Sequence, residues 1–398
     1  MTAPTHSKNT IWLLTAGAFF AFLVFGFSDN LKGPVLPALL QDLKLTYALG
    51  GTILLGAYLG FMAASLTAGL LADAAGHKAV LLLAGVSLGL GVTGFSSFRH
   101  PLLLTLSMAV LGFGLGSLEL GCNALIVELH HADKGRYLNL MSVMHGLGSM
   151  LAPLYAGWLL SLNTPWQTVY RWDLLLIALL IVYFILVRFP RAESAQSEGL
   201  DFKHIGRIAF TPQMLGFYAA ITLYVSIELG IASWMVAFLQ KERGASVALS
   251  TQALSVFFGL IMLGRFVGSF FIGRFGYLKS ILVAALCASL CVALALFGPA
   301  SFALLLPASG FFLSIIFPTI TAAASDAHTE NMNTILGLLF TFAGFGGILG
   351  PWLVGIASDL HGLKFGFSLN VLFGLLTAAA AIFLLRLSRN KVESAPVV

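Results

Sequence analysis

Apolar stretches of about 20 residues recur along this chain between short polar breaks, and that rhythm fixes the solvent in which it folds. A helix needs about 20 apolar residues to cross the hydrocarbon of a bilayer. Such stretches fall at 11–37, 48–75, 79–98, 103–127, 137–160 and 172–189, and again at 213–239, 247–274, 280–297, 302–325, 333–358 and 365–387. In lipid every backbone N–H and C=O must be satisfied internally, so spanning segments of this kind are helices. Composition agrees: 59% of residues are hydrophobic and 9% charged, whereas soluble domains carry about 25% charged residues. The 42 glycines suit helices packed closely in lipid.

Lys and Arg placement sets the orientation. Of the 21, thirteen fall on the side of both termini, six on the other, and Lys32 and Arg265 lie within helices. The expectation is an integral protein of the inner membrane with cytoplasmic termini. The net charge of +5 does not point to nucleic acid, because these charges are scattered anchors and form no stripe. Cys122, Cys287 and Cys291 all lie in apolar segments without a CxxC pair, so no metal site, cofactor or disulfide is expected. The first apolar run lacks a clear small-residue cleavage site, so it reads as a helix and not as a secretory signal.

The two halves repeat each other. Gly112, Gly148, Pro153 and Gly157 recur as Gly310, Gly346, Pro351 and Gly355 at one offset of 198. Pro153 and Pro351 let their helices bend and pack closely. Parallel six-helix halves are a mark of rocking transporters. The expected fold is an all-α membrane protein of twelve transmembrane helices in two pseudo-symmetric six-helix bundles, 1–190 and 212–398, joined by a cytoplasmic linker at 191–211.

Within that apolar background the acids stand out. Glu119 sits in LGFGLGSLELGCN, mid-segment. A charge at the centre of a membrane helix costs about 2.5–3.5 kcal/mol on the most lenient scale, and it marks a functional site by default. Asn123 is one turn on and shares its face. Desolvation penalises an anion, so an acid in an apolar cavity can hold a proton at neutral pH and release it when water arrives. Asp29 has Lys32 one turn later, which leaves a salt bridge, a proton site or a sodium ligand open. Glu228 follows Tyr224 by one turn in the seventh segment. Asn139, Ser142, Gly146 and Ser149 form one stripe of the fifth. Arg265 is expected to be buried and to pair with an acid or helix carbonyls.

GLLADAAGHK resembles the signature of the major facilitator superfamily between its second and third helices. Gly69, Asp73, Gly76 and Lys78 match, while Ala74 and His77 replace the usual arginines. The resemblance implies an inner gate at this loop. Four helices are similar to the fucose–proton symporter group. Glu119 and Asn123 match its fourth; Arg136, Asn139 and Gly148 match its fifth, where Ser142 and His145 stand in place of amides. YVSIELGIASW looks like its seventh in the form carried by related glucose transporters, and Ser314, Phe317, Pro318 and Thr319 match its tenth. The resemblance implies that helices 1, 4, 7 and 10 line the cavity, that Glu119 and Asp29 are the coupling acids, and that the solute is a hexose or 6-deoxyhexose. Glu228 would then accept hydrogen bonds from sugar hydroxyls, with Asn123, Asn139, Ser142, His145 and Ser314 as further polar contacts and Tyr224 and Trp234 as stacking faces.

The reading is a monomeric secondary-active transporter that moves a monosaccharide with a proton by alternating access. Sodium coupling, or proton-linked export of drugs and other lipophilic compounds on the same fold, are the alternatives. A membrane enzyme is not expected, since His130-His131 is the one His cluster and falls at a helix end; a sugar sensor would bind without flux.

Overall fold

The computed structural model describes residues 8–131, 133–189, 210–327 and 332–393. Among them twelve helices are long and apolar enough to cross a membrane. They are α1 (Asn9–Leu43), α2 (Tyr47–Thr67), α3 (Gly76–Ser97), α4 (Pro101–Leu129), α5 (Lys134–Ser161), α6 (Trp166–Leu186), α7 (Pro212–Arg243), α8 (Val247–Gly268), α9 (Tyr277–Phe297), α10 (Ala300–Asp326), α11 (Ile335–His361) and α12 (Leu363–Ser388). The expected linker lies outside the described residues as far as 209, and so do the side-chain surroundings of Gly69 and Asp73.

The chain divides into two compact units. One comprises Met1–Leu45 with Thr52–Ser197, and the other Thr46–Gly51 with Glu198–Val398. In the first, α1 packs on α4, α5 and α6; in the second, α7 packs on α11 and α12, and α8 on α10. Glycines of the 198-residue repeat sit at close helix crossings. A methyl on Gly148 would overlap the Leu23 carbonyl of α1, and one on Gly346 would overlap the Thr222 carbonyl of α7. Likewise Gly112 admits the Ala57 carbonyl of α2, and Gly310 the Phe257 carbonyl of α8. The repeat read in the sequence is thus a repeat of backbone-to-backbone contacts, the packing that small residues permit in lipid.

Helix ends follow from local chemistry. The Thr211 hydroxyl accepts from Met214 N at 3.3 Å, and Pro212 fills the first turn of α7, where its missing N–H has no cost. Gly244 closes α7 with φ 66°, the left-handed conformation that glycine takes freely. Gly76 turns α2 into α3 with φ 78° and ψ 165°. Lys78, just beyond it, donates to the carbonyls of Ile185 and Val187 at 2.9 and 3.1 Å, placing a cation at the C-terminal end of α6.

Two helices are discontinuous. The first part of α1 ends at Asp29 and helix resumes at Lys32. Asn30 bridges the break: its amide donates to the Gly26 carbonyl at 2.8 Å and to Ser149 Oγ of α5 at 3.0 Å. In α10, helix stops at Leu313 and resumes at Ile316. Pro318 cannot donate to the carbonyl of Ser314, so the ladder is interrupted there.

Candidate substrate and coupling site

In the N-terminal unit the polar groups gather at the break in α1. Lys32 Nζ meets Asp29 Oδ1 at 2.5 Å, with Lys32 only 6% exposed and Asp29 20%. The same ammonium lies 4.7 Å from the centre of the Tyr58 ring of α2. Glu119 of α4 is half-buried and close enough to Asp29 to interact with it electrostatically. No described residue donates a hydrogen bond to Glu119 or forms an ion pair with it, and the Lys32 ammonium is held by Asp29. Asn123, one turn along, is also half-buried. His145 of α5 packs edge-on to Phe25 of α1 with ring centres 4.6 Å apart, and it borders Phe22 at 6.5 Å.

In the C-terminal unit Tyr224 and Glu228 of α7 are joined by a short hydrogen bond from the phenol to the carboxylate. Arg265 of α8 interacts electrostatically with both. Arg265 is exposed, contrary to the expected burial; of the two kinds of partner expected, an acid or helix carbonyls, it acts on an acid, Glu228, and also on the phenol beside it. Tyr224 is completely buried, and its ring lies 6.1 Å from that of Phe317 in α10. The result is a carboxylate, a phenol and a guanidinium side by side, able both to accept and to donate hydrogen bonds.

Several expected contacts lie elsewhere. Trp234 is completely buried, and its indole N–H donates to the Pro351 carbonyl of α11 at 2.9 Å. Its faces are spent on packing in this conformation and are closed to a solute. Ser314 is also fully buried: its hydroxyl donates to the Phe311 carbonyl at 2.6 Å and packs on Gly264 of α8. Ser142 is exposed and donates to its own helix at Leu138 O, 3.0 Å away; Asn139 and Arg136 are exposed near the start of α5. Pro153 is buried within α5. His130 is not simply solvated: it stacks on Tyr137 at 3.6 Å and shares a 2.7 Å hydrogen bond with Thr15 of α1. Burial holds its imidazole below the usual histidine range.

Three features escaped the sequence reading. Tyr58 completes the Lys32 site, and one aromatic in an apolar helix gives no signal of that. Asp42, near the end of α1, accepts from Arg99 Nη2 at 2.9 Å and from the Trp166 indole at 3.0 Å. Asp173 of α6 is 1% exposed, and the sequence reading did not single it out.

These helices have known relatives. The model of the Major Facilitator Superfamily matches residues 18–351. The L-fucose-proton symporter of Escherichia coli is 24% identical over 377 residues, covering 86% of each chain. The gallate transporter of Pseudomonas putida is 26% identical, covering 97% of this chain and 94% of that one. The solved structure of the nucleoside transporter NupG superposes with a TM-score of 0.76 at 15% identity, covering 95% of this chain and 99% of that one. With twelve spans and a family match over most of its length, the chain belongs to the Major Facilitator Superfamily and is an integral membrane transporter, not an enzyme.

Proposed function

We propose that this transporter moves a monosaccharide, a hexose or deoxyhexose, together with a proton, by alternating access. Glu119 carries the proton. The observation that bears the most weight is the uneven environment of the two N-terminal acids: Asp29 holds Lys32 at 2.5 Å, while Glu119 beside it has no cation and no donor of its own. A charge at membrane depth without a counter-ion is costly, and a bound proton removes that charge. Once water reaches it, the charged form is tolerated. That change of environment is what alternating access supplies.

Lys32 occupies one side of the Asp29 carboxylate, the place a sodium ion would need, which favours proton over sodium coupling. Asp29 then acts in coupling by setting the field at Glu119 instead of carrying the ion alone. Glu228 and Arg265 form the solute-binding group of the C-terminal unit, with the buried Tyr224 holding the Glu228 carboxylate in place. A carboxylate and a guanidinium suit a ring of hydroxyls, and a buried polar group left unpaired is expensive, so a solute lacking those hydroxyls is rejected. Asn123 and His145 extend the polar lining. The likeness to a fucose–proton symporter supports the solute class. The termini lie in the cytoplasm, as the excess of Lys and Arg on their side requires.

The test is uptake into proteoliposomes of labelled L-fucose, D-glucose, D-galactose and gallate, with inward proton or sodium gradients imposed separately. Accumulation of one of the sugars under the proton gradient alone is expected. Accumulation of gallate and of no sugar would overturn the solute class, and accumulation that requires sodium would overturn the coupling ion.

A further inference from the structure

The N-terminal unit contains a second buried acid that the proposed transport scheme does not use. Asp173 lies two turns into α6, about 10 Å along its axis, and is 1% exposed. Neither carboxyl oxygen makes a well-formed hydrogen bond among the described residues, and the Ser28 hydroxyl of α1 is close enough to act on the carboxyl. Two buried hydroxyls lie beside it, Ser28 of α1 and Tyr170 of α6, and neither makes a well-formed hydrogen bond to any other described residue. The Tyr155 hydroxyl of α5 is spent on the Val169 carbonyl at 2.9 Å. The titratable groups that act on this site are Tyr155, Tyr170 and, through Tyr170, Asp29. No lysine, arginine or histidine is among them. Arg171, the nearest cation in sequence, is directed to the Ser96 carbonyl of α3 at 3.3 Å.

An ionised carboxylate in such a place loses its hydration without gaining a counter-ion, and two neutral hydroxyls do not offset that loss. A carboxylic acid is neutral, and its O–H can donate to Ser28 or Tyr170, whose own hydroxyls are free to turn. We infer that Asp173 is a second proton-binding site of this protein, separate from Glu119, and that its carboxyl carries a proton from solvent in this conformation. Ser28 is the residue before Asp29, so the proton sits against the segment of α1 that breaks next to the coupling acids.

The test is infrared spectroscopy of the full-length protein in lipid, with aspartate labelled with ¹³C at the side-chain carboxyl. At pH 7 the labelled wild type is expected to show a protonated aspartic acid band, and Asp173→Asn is expected to remove that band while leaving the carboxylate bands unchanged. Loss of a carboxylate band in Asp173→Asn, with the protonated band kept, would overturn the inference. If the variant does not fold, the labelled wild type still decides: a spectrum at pH 7 without any protonated aspartic acid band excludes a proton on Asp173. Glu119 does not interfere, because glutamate is unlabelled, so this result is independent of the proposed coupling role.

Discussion

Replacing Lys32 with Met tests whether the pair at the break in α1 is a working ion pair or a chance contact. The side chain is 6% exposed, and its ammonium holds Asp29 Oδ1 at 2.5 Å while lying 4.7 Å from the centre of the Tyr58 ring. Removing one partner of a buried pair costs about 3–5 kcal/mol, because the other charge is left stranded. Asp29 is 20% exposed, so the lower end, about 3 kcal/mol, applies. For a folding unit of this size that corresponds to a fall of roughly 6–12 °C in Tm. Asp29→Asn strands the ammonium instead and should cost a similar amount. The double variant strands neither, so it should be more stable than Lys32→Met alone. The assay is thermal unfolding of purified protein in detergent for the wild type, both single variants and the double variant, at one scan rate since unfolding of such proteins is often irreversible. Additive shifts, with the double variant the least stable of the four, would refute the argument.

Two further outcomes follow from the packing and from the histidine at the end of α4. Gly148→Val places a branched side chain against the Leu23 carbonyl of α1, where even a methyl overlaps; overpacking of this kind costs about 1–3 kcal/mol or more, and the same change at Gly135, which faces open space, should leave Tm nearly unchanged. His130 is held below the usual histidine range by burial. The unfolded chain therefore takes up this proton first as pH falls, and the native state loses stability from about pH 6.5 downward. His130→Gln should flatten that part of the Tm–pH profile, and an unchanged slope in the variant would assign the loss to other groups.

How far the sequence led depended on what each feature required. The spans were legible because lipid tolerates no other backbone arrangement, and Glu119 and Glu228 stood out because an acid in an apolar run is costly wherever it faces. The offset of 198 pointed to the paired crossings at Gly148 and Gly346, since close backbone approach leaves a visible mark in residue size. Orientation was another matter. Trp234 and Ser314 sit on helices expected to line the cavity, yet each turns into packing, toward the Pro351 carbonyl and the Phe311 carbonyl. A rotation of a few tens of degrees decides that, and it is set by neighbouring helices. Asp173 was missed for the opposite reason. Its neighbours Arg171 and Trp172 are residues that mark a membrane interface, whereas the fold buries its carboxyl among α1, α5 and α6. Arg265 was expected to be buried, because the sequence does not show that α8 leaves its side chain exposed.

The central claim is that a proton on Glu119 drives accumulation of the solute. It is tested most directly by comparing net uptake under an inward proton gradient with exchange at equal concentrations, in proteoliposomes carrying wild type or Glu119→Gln. A permanently neutral side chain should abolish accumulation above the outside concentration and leave exchange intact. Accumulation in the variant equal to that of the wild type would contradict the account.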